Sequence, residues 1–97
     1  MSIHIAISRK FFSERHDVQV FSTRDKAEKY LWQISKENEW IIANGECRHD
    51  KNVILVVSED WYDGGFIEVF GSVNEADRYI KQITSDIYYA VLHCKVL

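Results

Sequence analysis

VQVFSTRDKAEKYLWQI (Val18–Ile34) and IEVFGSVNEADRYIKQI (Ile67–Ile83) are the two stretches that decide how this chain folds. They align over 17 positions without a gap at a constant offset of 49, with six identities: Val20/Val69, Phe21/Phe70, Ala27/Ala76, Tyr30/Tyr79, Gln33/Gln82 and Ile34/Ile83. Other pairs are conservative, among them Val18/Ile67, Thr23/Ser72, Glu28/Asp77, Lys29/Arg78 and Leu31/Ile80. A spacing that occurs only twice is too few copies for a solenoid. It reads as one domain of 97 residues built from two similar halves, 1–49 and 50–97 in rounded bounds.

Each stretch opens on a short alternating strand and turns at once into a helix. Thr23 and Ser72 are placed to cap the first exposed amides, and Ser72 with Glu75 three residues later forms a capping-box pattern. Ala27, Tyr30, Leu31 and Ile34 fall at i, i+3, i+4 and i+7, as do Ala76, Tyr79, Ile80 and Ile83, so both helices bury the same stripe. Working outward, Ser2 to Ser8 alternates Ile3, Ile5 and Ile7 with His4, Ala6 and Ser8, a strand with one covered face. Its counterpart NVILVVSE is apolar throughout, which makes it a central strand or one whose second face is covered by the other half or by a partner. Second strands are expected at Asp17 to Phe21 and Phe66 to Phe70, linked by FFSERHD and by the tighter WYDGG, where Asp63-Gly64 favours a turn with positive φ. Trp40 to Ala43 and Tyr88 to Val96 supply third strands. The expected fold class is α+β: two tandem ββαβ repeats forming one antiparallel or mixed sheet of about six strands, with both helices on one face and a pseudo-twofold axis between the halves.

The composition agrees with a small self-sufficient core: 46% apolar, 28% charged, 13% aromatic, no proline and four glycines. Aromatic side chains concentrate burial in a short chain. A formal charge of -3 argues against a nucleic-acid coat or a membrane-surface protein. No apolar run approaches the roughly 18 residues of a membrane span, and MSIHIAISRKFF lacks the layout of a secretory signal. A cytoplasmic protein is expected, with Cys47 and Cys94 as reduced thiols.

The usual catalytic frames are missing from the chain: it has no nucleophile elbow, Walker loop, dinucleotide fingerprint or H-E-x-x-H helix. Gly64-Gly65 reads as a hairpin tip. Cys47, His49, His93 and Cys94 nominally make a four-ligand zinc set, with His4 and His16 to spare. Adjacent strand residues point to opposite faces, however, so His93 and Cys94 do not turn to one ion. Neither cysteine stands at a helix start that would activate it as a nucleophile. We expect no catalytic residue, no metal and no cofactor.

The charges are more informative. Residues 1–49 sum to +1 and residues 50–97 to -4. Between Lys51 and Arg78 there is no basic residue, while Glu59, Asp60, Asp63, Glu68, Glu75 and Asp77 all fall there. Glu75 and Asp77 also suit the positive start of a helix, and an acidic hairpin tip is ordinarily a solvated one. Solvation accounts less well for Trp61 and Tyr62 among Glu59, Asp60 and Asp63, because exposed aromatics are what binding surfaces use as anchors. Trp32 lies off its helix's apolar stripe, where the other half has Lys81; it is a second anchor or it packs over the helix edge against the third strand. Projecting carboxylates imitate the phosphates of duplex DNA, about one negative charge per 1.7 Å of axis, and attract the Lys and Arg of a nucleic-acid-binding site.

A short, acidic, proline-free chain with these two helix starts, VFSTRDKAEKYL and VFGSVNEADRYI, resembles the small proteins of bacteriophages and mobile elements. In size and character it is similar to the anti-CRISPR inhibitors, especially those acting on type I-F surveillance complexes. The resemblance implies an inhibitor in the bacterial host cytoplasm that binds the basic DNA-binding surface of a type I CRISPR-Cas effector, with no direct contact to nucleic acid or membrane. The expected partner-binding residues are Glu59, Asp60, Trp61, Tyr62, Asp63, Glu68, Glu75, Asp77 and Trp32. The alternative is a small protein-interaction or ligand-binding module acting as a homodimer.

Overall fold

A computed structural model describes residues 2–8, 18–34, 40–46, 51–83 and 87–97. Eight elements run β1 (Ser2–Ser8), β2 (Val18–Phe21), α1 (Arg24–Ile34), β3 (Trp40–Glu46), β4 (Asn52–Ser58), β5 (Ile67–Phe70), α2 (Val73–Ile80) and β6 (Tyr89–Lys95). The chain thus repeats strand, strand, helix, strand. Each expected strand and helix has its counterpart, although α2 ends at Ile80, short of the Ile83 that its stripe was expected to include. Asp17, the FFSERHD link, His16, Cys47 and His49 lie outside the described residues, as does the side chain of Ile34.

The sheet arrangement differs from the expectation. The strands form two three-stranded antiparallel sheets, ordered β2-β1-β3 and β5-β4-β6, in place of one sheet of about six. The two helices also lie on different sheets. Each central strand uses both of its edges within its own half: Ile5 pairs with Val20 and Ala43, and Leu55 with Val69 and Leu92. One continuous sheet would have to join edge strand to edge strand, where the described residues form just the Val20–Val96 bridge; the apolar faces Ile3/Ile5/Ile7 and Val53/Leu55/Val57 stack on each other instead.

One face of β1 (Ile3, Ile5 and Ile7) and both faces of β4 are apolar and need cover. Ile3, Ile5, Ile7 and Val20 from one sheet join Val53, Leu55, Val57 and Val96 from the other in one buried cluster, which is the shared core. The alternate residues point outward to the helices. Ala6 and Phe21 pack with Ala27, Tyr30 and Leu31 of α1, while Ile54 and Val56 pack with Ala76, Tyr79 and Ile80 of α2. The layers therefore run helix, sheet, sheet, helix. Alanine at 27 and 76 lets each helix approach its sheet closely, and the β-branched run of β4 suits a strand covered on both sides. Ala6 and Ser8, read from the alternation as lying on an open face, are fully buried. For NVILVVSE, cover by the other half is the arrangement found.

The helix starts form as their sequences direct. The amide of Lys26 donates to Thr23 Oγ1 at 3.3 Å and that of Glu75 to Ser72 Oγ at 3.2 Å.

The sheets also touch along two seams. At one, Val20 and Val96 form a parallel bridge, the Leu97 amide donates to the Val20 carbonyl at 2.8 Å, and the Leu97 carbonyl accepts from Ser22 Oγ at 3.2 Å and Lys26 Nζ at 3.3 Å. At the other, Gly45 of β3 faces Val69 of β5 so closely that a Cβ on Gly45 would sit 2.7 Å from Val69 Cγ2.

Candidate functional site

The acidic turn between β4 and β5 is built on Ser58, a buried hydroxyl. Its Oγ accepts from the Phe66 amide at 2.8 Å and lies 3.3 Å from the Phe66 carbonyl, to which it donates. Beyond it the Asp60 carbonyl gathers the turn, accepting from the amides of Asp63 and Gly65, both at 2.9 Å. Gly64 takes φ +95°, the left-handed region expected of Asp63-Gly64. The Glu59 amide donates to the Tyr88 carbonyl at 2.9 Å, which ties the turn to the approach of β6.

These bonds hold Glu59, Asp60 and Asp63 around one open cleft of about 520 Å3. Its remaining walls are Gly64, Gly65, Phe66, Ile87 and Tyr88. Its lining joins three carboxylates, which only accept hydrogen bonds, to the apolar and aromatic surface of Phe66, Ile87 and Tyr88. Tyr88 is 76% exposed, and Phe66 is steadied from behind by an edge-on contact with Tyr79 at 5.7 Å between ring centres. Among the described residues no basic side chain pairs with these three carboxylates; the ion pair found there is Arg24–Glu28, on α1.

The other candidate residues are distributed elsewhere. Trp61 is half-buried and packs against the inter-sheet core, closing its end, while its neighbour Tyr62 is 47% exposed and meets it edge-on at 5.7 Å. Glu68 sits on β5 opposite Val56. It is close enough to Tyr79 that burial first and its carboxylate second push that phenol above the ordinary tyrosine range. Glu75 and Asp77 are exposed on α2, flanking the buried Ala76. Trp32 is 89% exposed on α1, the helix that covers the other sheet. Packing against the third strand, the other reading of Trp32, is not what the structure shows; Trp40 and Ile42 of β3 instead pack with Tyr30 and Leu31. The nine residues thus comprise a cleft triad and separate surface positions, and do not make one continuous face. Sequence reasoning missed Gly65, Phe66, Ile87 and Tyr88, because the floor is assembled from β4–β5 and β6 segments more than 20 residues apart.

No family model, curated protein or solved structure matches this chain. Its own chemistry is therefore what speaks to function.

Among the described residues no group of three or more His, Cys, Asp or Glu side chains is placed to hold a metal ion, and no helix is long and apolar enough to cross a membrane. His93 is exposed, whereas the adjacent Cys94 turns inward against the core, where burial pushes its thiol pKa up. A raised pKa leaves less thiolate at neutral pH, and the thiolate is the reactive form. In a Cys47→Ser background, iodoacetamide at pH 7.5 is expected to leave Cys94 largely unmodified in native protein and to alkylate it fully in guanidinium, as read by intact mass.

Proposed function

We propose that this chain is a binding protein of the anti-CRISPR type, whose acidic cleft receives basic side chains from the DNA-binding surface of a type I CRISPR-Cas effector in the bacterial cytoplasm. The observation that carries this reading is the convergence of Glu59, Asp60 and Asp63 on one aromatic-floored cleft with no basic partner among the described residues. Its lining offers an entering arginine carboxylates for charge-assisted hydrogen bonding and the Tyr88 ring for cation–π contact. Occupying such side chains withholds them from DNA without chemistry on either molecule. The duplicated-unit reading belongs to the same proposal. Strand β4 follows β1 by 50 positions in register, whereas β5 and β6 follow β2 and β3 by 49, as one deleted loop residue would produce.

Reversing Glu59, Asp60 and Asp63 to Lys is expected to weaken binding to purified effector at least about tenfold, equivalent to about 1.4 kcal/mol, and to abolish the inhibition of target-DNA binding. Wild-type binding should weaken steeply with salt, as contacts between exposed charges do. Glu68→Lys, away from the cleft, should bind within about twofold of wild type. Unchanged binding by the triple variant, with native circular dichroism, overturns the cleft mechanism.

A homodimeric module is the second reading. It is favoured by β6, where Tyr89 and Val91 remain 38% and 40% exposed. The corresponding Trp40 and Ile42 of β3 are covered by α1.

A further inference from the structure

The most exposed large hydrophobic side chain among the described residues is Trp32, 89% open on a helix whose other aromatic, Tyr30, is packed inward. An indole left in water forgoes the burial of a large apolar surface, and once buried it needs an acceptor for its single N–H. The cleft under the β4–β5 turn offers both. Its volume, about 520 Å3, is in the range that takes an aromatic side chain. Phe66, Ile87 and Tyr88 supply apolar and ring surface, and Glu59, Asp60 and Asp63 supply acceptors that have no hydrogen to offer in competition.

The surroundings of Trp32 fit the same cleft. Lys29, three residues earlier, shares its side of α1. Glu28, on the other flank, is already engaged by Arg24 Nε at 3.0 Å, so Lys29 is the charge beside the indole that answers the acidic rim. The two halves carry opposite signs, +1 and -4. Within one chain the two features belong to helices and sheets on different sides of the sandwich, and Trp32 fills no cleft of its own molecule.

We propose that Trp32 and Lys29 of one copy seat in the Glu59–Asp60–Asp63 cleft of a second copy. The contact is head-to-tail: each molecule contributes one knob and one socket, so association continues beyond the dimer until a ring closes or a chain grows. This contact uses the cleft of the proposed function but requires no foreign partner, so the two ideas fail separately.

The test is sedimentation velocity on the full chain at rising concentration in low salt. Wild type is expected to show concentration-dependent species larger than dimer, which dissolve as salt is raised. Trp32→Ala lacks the knob and the Glu59/Asp60/Asp63→Lys variant lacks the socket, so each alone is expected to stay monomeric. Mixed one to one, they retain a single compatible pairing and should form a heterodimer that grows no further. Tyr88→Ala, which removes the exposed floor ring, provides a socket variant without charge reversal and should behave in the same way. A wild-type chain that stays monomeric at millimolar concentration overturns the proposal. So does a Trp32→Ala variant that associates like wild type, or a mixture of folded variants that remains monomeric.

Discussion

Leu55→Ala is expected to lower stability by about 2–5 kcal/mol, the cost of a cavity at a site that cannot collapse. Leu55 is fully buried at the middle of β4, flanked in its sheet by Val69 and Leu92, and it belongs to the cluster that both sheets share. For a chain of this length each kcal/mol lowers the melting temperature by roughly 4–8 °C, so the midpoint should fall by roughly 8–40 °C. Leu55→Ile, which conserves volume, should cost less than about 1.5 kcal/mol. The loss should appear as one transition, with tryptophan fluorescence and far-ultraviolet dichroism moving together, because neither sheet keeps its inner face covered without the other. Two separated transitions would show that the halves carry independent cores.

Gly65→Ala is expected to disrupt the cleft and to destabilise the protein by about 1–3 kcal/mol, the range for forcing extra atoms into a packed site. A Cβ at this position collides with Ser58 Oγ and Asp60 Oδ1 and lies 2.6 Å from the Asp60 carbonyl carbon. The last of these is backbone and has no rotamer to move into. Relief therefore displaces the Asp60 carbonyl that gathers the turn, or the Ser58 hydroxyl that holds Phe66. Either shift disperses the three carboxylates. Urea denaturation reads the stability change, and binding to the proposed effector should fall together with it. Gly64→Ala presses on no neighbouring atom within 4 Å but must hold φ +95°, so its cost is conformational and confined to the exposed tip. If Gly65→Ala retains wild-type stability and binding, the turn does not organise the site as described.

The local elements were legible because their signals are local. Ser2–Ser8 coincides with β1, the caps at Thr23 and Ser72 form their bonds, and the repeated apolar stripes face their sheets. The split into two sheets was not legible. It depends on which edges β1 and β4 use, and an alternating strand looks the same whether its second face meets water or a helix. Ala6 and Ser8 were the ambiguous residues, small enough to read as exposed and in fact buried beneath α1 or beside it. For the site, the acidic turn announced itself through charge and through Asp63-Gly64, whereas its floor came from a distant segment. Trp61, flanked by the same carboxylates, reads as a surface anchor, yet its ring is drawn inward to finish the core. The aromatic left exposed is Trp32, marked by its position off the stripe.

The seam at Val20 has a consequence for synthesis of the chain. Its backbone partners, Val96 and Leu97, are translated more than 70 residues after it. Until they emerge, β2 has an unpaired edge, and until β4 emerges the row Ile3, Ile5 and Ile7 faces water. The nascent first half thus displays an uncovered apolar sheet for the time needed to translate about 50 residues, several seconds at typical elongation rates. Slowing translation after the first half lengthens that interval of vulnerability without altering a single contact in the finished fold.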